Sequence, residues 1–233
     1  PKPTRAPVPH IHRMDPTATT NSSSMSTTTP VRRTPAKSLR LALPISADTR
    51  AIIERETGLD CPTSAELPTE LDLSGCEDLV NVSTLGQLHS LDLFRCPLVC
   101  DVSALGQVDT LSLALCPGIR DVSALGGVRE LSLYGCTGVS DVSALGTVHA
   151  LDLRHCTGVS DVSALAGVHT LLLDYCAGVR DVRALGAVHK LSLRNCTGLI
   201  DVSALGSVHT LDLSHCKAVT DVSMLGGVKE LSL

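Results

Sequence analysis

Residues 151–170 read LDLRHCTGVSDVSALAGVHT, and the same frame returns with Leu-x-Leu opening at 71, 91, 111, 131, 151, 171, 191, 211 and 231. Eight complete units and the start of a ninth therefore follow one another without insertion. Self-similarity at this period marks a solenoid, in which each unit buries its apolar face only against its neighbours. Alternation across Leu151, Asp152 and Leu153 fits a short strand with the leucines inward and Asp152 outward. One strand per unit, regained after a full return, predicts a parallel sheet. The return segment Cys-x-x-Val-x-Asp-Val-Ser-x-Leu-Gly is too short for a long helix and carries Gly beside its last Leu. It predicts loops and a single tight helical or 3-10 turn on the convex side.

The series Leu-x-Leu-x-x-Cys-x-x-Val-x-Asp resembles the cysteine-containing class of leucine-rich repeats over residues 71–233, about 70% of the chain. The stretch Asp-Val-Ser-Ala-Leu-Gly is more similar to the short convex segment of internalin-type repeats. This resemblance implies an α/β solenoid, a right-handed leucine-rich repeat horseshoe or arc with a parallel concave sheet. It also implies that the repeated Cys, where the chain turns inward after the strand, bonds neighbouring backbone.

Cys76, Cys96, Cys116, Cys136, Cys156, Cys176, Cys196 and Cys216 fall once per unit. Stacked strands place equivalent Cα atoms roughly 4.8 Å apart with parallel Cβ vectors, which leaves the Cβ atoms too far apart for an unstrained bridge. Buried, unbridged thiols are expected, and with them a reducing, intracellular and cytoplasmic home. Cys61 and Cys100 lie off the period. The Asp at 101, 121, 141, 161, 181, 201 and 221, with Asn81 as its counterpart, suits the start of a convex turn, where a short side chain accepts backbone N–H bonds. One carboxylate per unit leaves most of a calcium shell unfilled. His89, His149, His169, His189 and His209 share a further column, interrupted by Asp109, Arg129 and Lys229. The row reads as exposed histidines without a tetrahedral arrangement for a metal, and the four consecutive ones should repel when protonated.

The 233 residues carry a net charge of −5, but residues 1–40 hold seven Lys/Arg against one acid. Residues 1–37 are rich in Pro, Ser, Thr and Arg and read as a disordered basic tail. Thr29-Pro30 and Thr34-Pro35 flank Arg32 and Arg33, which suits an inert linker or a phosphorylation-controlled docking segment. Residues 38–70 break the period, and SADTRAIIERETG offers a helix start at Ser46 or Asp48 and a stop at Gly58. They are expected to cap the first apolar layer, leaving 71–233 as the repeat domain. No signal peptide is visible, no apolar run is long enough to span a bilayer, and the numbering reads as beginning inside a longer product. The end at Leu231-Ser232-Leu233, one strand into a unit, is expected to leave an uncapped edge open to edge-to-edge self-association.

Strand geometry sends the residues between and after the leucines to the concave sheet, and there the units diverge. The position after the second Leu reads Ser74, Phe94, Ala114, Tyr134, Arg154, Asp174, Arg194 and Ser214, and the next Gly75, Arg95, Leu115, Gly135, His155, Tyr175, Asn195 and His215. All three aromatic residues of the chain stand in these two columns. Because Tyr and Arg dominate interfaces, Phe94, Arg95, Tyr134, Arg154, His155, Tyr175 and Arg194 are the expected contact set for another protein. Asp72, Asp92, Asp152 and Asp212 interrupt positive charge along the face, which opposes specific nucleic-acid binding. No Gly-rich phosphate loop, His-Glu-x-x-His or Gly-x-Ser-x-Gly occurs, so no enzyme, cofactor or metal site is expected. The resemblance allows two other readings, a substrate-recognition subunit of a ubiquitin ligase and a secreted surface adhesion protein.

Overall fold

A computed structural model describes residues 38–40, 47–57 and 66–233 of the chain. The expected disorder of 1–37, the Thr-Pro docking segment and Cys61 lie outside the described residues. Strand β1 (Ser38–Arg40) pairs antiparallel with β2 (Glu66–Pro68), and helix α1 (Ala47–Thr57) lies between them in sequence. Ile52 and Ile53 of that helix are buried in the same apolar cluster as Leu71, Leu73 and Leu79 of the first repeat.

Each repeat then contributes one three-residue strand: β3 (Glu70–Asp72), β4 (Ser90–Asp92), β5 (Thr110–Ser112), β6 (Glu130–Ser132), β7 (Ala150–Asp152), β8 (Thr170–Leu172), β9 (Lys190–Ser192), β10 (Thr210–Asp212) and β11 (Glu230–Ser232). They form one sheet in chain order with every neighbouring pair parallel, and each leucine stands beside its equivalent in the next unit, as Leu151 does beside Leu171. Backbone pairing runs beyond the strands at both ends. Leu153 N–H donates to Leu172 O at 2.8 Å and His155 N–H to Asp174 O at 2.9 Å, while His169 N–H reaches back to His149 O at 3.0 Å. The register therefore extends over residues whose side chains form the open face and its rim.

The interior follows from the repeat. In the unit opening at Leu151, the side chains of Leu151, Leu153, Cys156, Val159, Val162, Leu165 and Val168 are all buried, and the equivalent columns run through the neighbouring units. Small aliphatic groups stacked in register fill this core without large rings. In β11, the last strand of the sheet among the described residues, Leu231 is 39% exposed, and Leu233 after it is 67% exposed.

The convex return is a short 3-10 turn in seven units, such as Ser163–Gly167, with Leu165 N–H donating to Val162 O at 3.0 Å. Each is preceded by the expected aspartate. Asp161 Oδ1 accepts the Ser163 N–H at 2.9 Å, the same bond recurs at Asp101, Asp121, Asp141, Asp181, Asp201 and Asp221, and Asn81 makes it to Ser83 at 2.9 Å. An Asx side chain bonded two residues on is a ready-made turn, which explains the column without calcium.

The cysteines form a ladder. From Cys96 to Cys216 each thiol of the column donates to the backbone oxygen of the second strand leucine in the preceding unit, as Cys156 Sγ does to Leu133 O at 3.0 Å. The thiol thus satisfies a carbonyl inside the core while packing as a small hydrophobe. Burial pushes Cys96, Cys116 and Cys136 up to about 11 and Cys176 and Cys196 up to about 12. Thiols so protonated are neither nucleophiles nor metal ligands. The nine described cysteines form no disulfide, and Cys100, off the period, is exposed.

Candidate functional site

The open face of the sheet is built where each strand ends. After the second leucine the chain must turn inward to bury its cysteine, and the residue two positions past that leucine makes the turn with a left-handed backbone in all eight complete units. Its φ is +77° at Gly75, +70° at Gly135, and between +58° and +66° at Arg95, Leu115, His155, Tyr175, Asn195 and His215. Glycine adopts this conformation freely and Asn tolerates it, but other side chains there cost roughly 1–2 kcal/mol. His155 and Tyr175 therefore sit where Gly would be easier, and such costs concentrate at functional positions.

Three rings come together on this face. Tyr134 meets His155 edge-on with centroids 5.3 Å apart, and His155 stacks on Tyr175 at 4.4 Å and 10°. Arg154 places its guanidinium 5.3 Å from the Tyr134 centroid. That guanidinium is not free, because its Nε and Nη2 grip the two carboxylate oxygens of Asp152 at 2.9 and 2.7 Å, and Asp152 is 2% exposed. Donating these hydrogen bonds to Asp152 raises the Arg154 pKa, and the bidentate pair fixes the cation as a flat plate beside the rings.

The remaining expected contact residues are placed differently. Phe94 and Arg95 pair with each other at 5.5 Å, two units before Tyr134. Arg194 lies one unit beyond Tyr175, with Nε 3.7 Å from Asp212 Oδ2. Its backbone N–H donates to Asp174 Oδ1 at 3.1 Å, and the same carboxylate accepts the Ser192 hydroxyl. Burial raises the Asp174 pKa against those bonds. A shallow depression of mixed charge follows along the face, lined by Asp174, Lys190, Arg194, Asp212 and Glu230. The acids between the leucines are more than scattered surface charge. Asp72, Asp92, Asp152 and Asp212 each accept the N–H two residues on, at 2.8–3.0 Å, and so prepare the left-handed turn.

At the other end of the strands the histidine column is an ordered stack. His149 and His169, His169 and His189, and His189 and His209 have centroids 4.7, 4.6 and 4.5 Å apart, with interplanar angles of 16°, 25° and 29°. Partial burial and the charges of its two neighbours lower the His169 pKa. Among the described residues no three metal-ligating side chains converge on a point, and no helix is long and apolar enough to cross a membrane.

These groups set the response to acid. The hydroxyl and N–H of Ser103 hold Asp101 below the usual carboxylate range, Ser143 does so for Asp141, and the Arg183 guanidinium takes Asp181 down to about 2. Both His169 and these aspartates have depressed folded values, so their contribution is complete above the unfolded pKa and is lost as pH falls through the folded one. The thermal midpoint should decline in two steps, the first below about pH 6.5 and the second below about pH 4. Replacing His149, His169, His189 and His209 by Gln should remove only the first. A profile unchanged by the four substitutions would remove His169 from the acid response.

No family model matches the sequence, and no curated protein matches it. Among solved structures, internalin C2 from Listeria monocytogenes is similar with a TM-score of 0.55 at 18% identity, covering 83% of this chain and 99% of that one. An internalin from the same organism, inlF, gives 0.49 at 18% identity over 79% of this chain and 68% of its own. The leucine-rich repeat domain of the type III effector XopL gives 0.49 at 19% identity over 70% and 67%. The repeat, the nine-stranded parallel sheet and the likeness to internalin C2 together give the chain a leucine-rich repeat fold of internalin type.

Proposed function

We propose that this leucine-rich repeat arc is a nonenzymatic interaction module that binds another protein on its concave face, centred on Tyr134, Arg154, His155 and Tyr175. The observation that carries the reading is the stack Tyr134–His155–Tyr175. Two of its three members hold a left-handed backbone that Gly takes up at no steric cost in other units. A core role does not account for them, since Tyr175 is 42% exposed and the interior is already filled by aliphatic columns. Rings with few rotatable bonds on a hydrogen-bonded platform lose little entropy on binding, which favours aromatic hot spots. Arg154, its charge matched by Asp152, offers a planar stacking surface more than an anion site, so the partner is expected to bring apolar and aromatic groups to this patch. Phe94, Arg95 and Arg194 flank it as peripheral contacts.

Affinity purification followed by mass spectrometry tests the reading. Tyr134→Ala/Arg154→Ala/Tyr175→Ala should lose the partners of the parent chain, with affinity lowered by at least about 100-fold if each ring acts as a hot spot. Because Arg154→Ala leaves Asp152 buried without its cation, Tyr134→Ala/Tyr175→Ala is needed beside it and should show most of the loss. Arg120→Ala/Arg180→Ala, on the convex return, should lose nothing. Equal recovery of partners by parent and double variant would move the site elsewhere.

A further inference from the structure

We infer that the row His149, His169, His189 and His209 binds divalent zinc, each ion held by two imidazoles from adjacent units with water completing its shell. The sheet sets the spacing. The N–H of His169 donates to His149 O at 3.0 Å, and His189 and His209 repeat the bond at 3.1 Å, so the four side chains leave the backbone at equal intervals and in one direction. All four rings are exposed, and their centroids stand 4.5–4.7 Å apart. Two nitrogens on one tetrahedral zinc are roughly 3.4 Å apart and each donates in its own ring plane, so neighbouring rings must leave the face-to-face stack, each turning by roughly 50° about its side-chain bonds, before both Nε2 atoms point at one ion. Solvent-facing rings can do this without moving the backbone.

Nδ1 of His169 and of His209 lies 3.4 Å from the hydroxyl oxygen of the following Thr170 and Thr210, a contact that orients the ring and leaves Nε2 as the donor to the ion. Asp109 and Arg129 on one side and Lys229 on the other bound the run. His89 lies beyond that boundary, with Nε2 3.9 Å from Asp109 Oδ2. The absence of a third protein ligand excludes a closed structural site, not an open one of two imidazoles and water. Imidazole suits zinc, copper and nickel, whereas the buried thiols of the cysteine ladder are withdrawn from competition.

The test exploits adjacency. Zinc alone is titrated calorimetrically into the full chain and into variants that keep every other His and Cys. His149→Gln/His209→Gln leaves the neighbours His169 and His189 and should retain one ion. His169→Gln/His209→Gln leaves the same number of histidines, but His149 and His189 are two strands and about 9.6 Å apart, too far to share an ion. That variant should bind at least about tenfold more weakly, as should the fourfold Gln variant, while the parent takes up about two ions along the row. Zinc should also raise the thermal midpoint of the parent and of the adjacent-pair variant. Indistinguishable binding by the two double variants, or parent-like binding by the fourfold variant, would overturn the assignment.

Discussion

Leu153→Ala should lower the unfolding free energy by about 4 kcal/mol, near the upper end for a buried leucine. Leu153 is fully buried, as are its counterparts Leu133 and Leu173 in the adjoining units. Whether such a cavity can close decides the cost, and here it cannot. Leu153 N–H is bonded to Leu172 O at 2.8 Å on one side and Leu133 N–H to Asp152 O at 2.8 Å on the other, which fixes the layers above and below at sheet spacing. The same substitution at Leu98, 51% exposed in the turn after Cys96, should cost less than about 1 kcal/mol. Urea unfolding of the two variants supplies the comparison. Equal losses would mean that stability is not built layer upon layer along the solenoid.

The layering was legible because the Leu-x-Leu frame never slips. A period of two within the strand and of one unit between strands assigns every leucine to the interior, and an outward acid followed by Val-Ser-Ala-Leu starts the turn. The left-handed column was not legible. Gly75, Gly135 and Asn195 are the residue types that announce such a backbone, but Arg95, Leu115, His155, Tyr175 and His215 occupy the same position and conceal it. The candidate site was legible only as two columns of divergent residues. Which of them touch depends on the diagonal across neighbouring strands: Tyr134 reaches His155 one unit on and one residue along, and His155 meets Tyr175 straight across. Nor did the sequence show that Arg154 is already committed to Asp152, since residues on one face two positions apart read equally well as independent contacts.

The cysteine ladder also changes what the thiols say about the cell. A row of unpaired cysteines read from sequence suggests a reducing compartment, since thiols elsewhere are oxidised in pairs. In the folded chain the eight in register are buried, and seven are seen bonded to the neighbouring unit's carbonyl. Parallel side chains at strand spacing cannot close an unstrained disulfide, whatever the redox environment. The absence of bridges among them is thus a consequence of the stack, and it carries no information about where the protein resides.

The convex side tests the same stacking from the opposite direction, by adding atoms instead of removing them. Gly146→Val should cost about 3 kcal/mol, because a Cβ at residue 146 would lie 2.3 Å from the backbone oxygen of Ala164 in the next unit's turn. That oxygen belongs to the 3-10 turn Ser163–Gly167 and has no side-chain freedom with which to withdraw. Glycine stands at the equivalent position in seven of eight units, at 86, 106, 126, 146, 186, 206 and 226, and Ala166 in the remaining one shows that the turns can accommodate a single methyl. A β-branched side chain adds bulk beyond that methyl and must spread the turns, which strains the core columns beneath them. Chemical unfolding of Gly146→Val beside the parent chain decides the matter. A mild effect at residue 146 would mean that the convex turns slide apart freely, and that the sheet and the aliphatic columns alone set the rise of the arc.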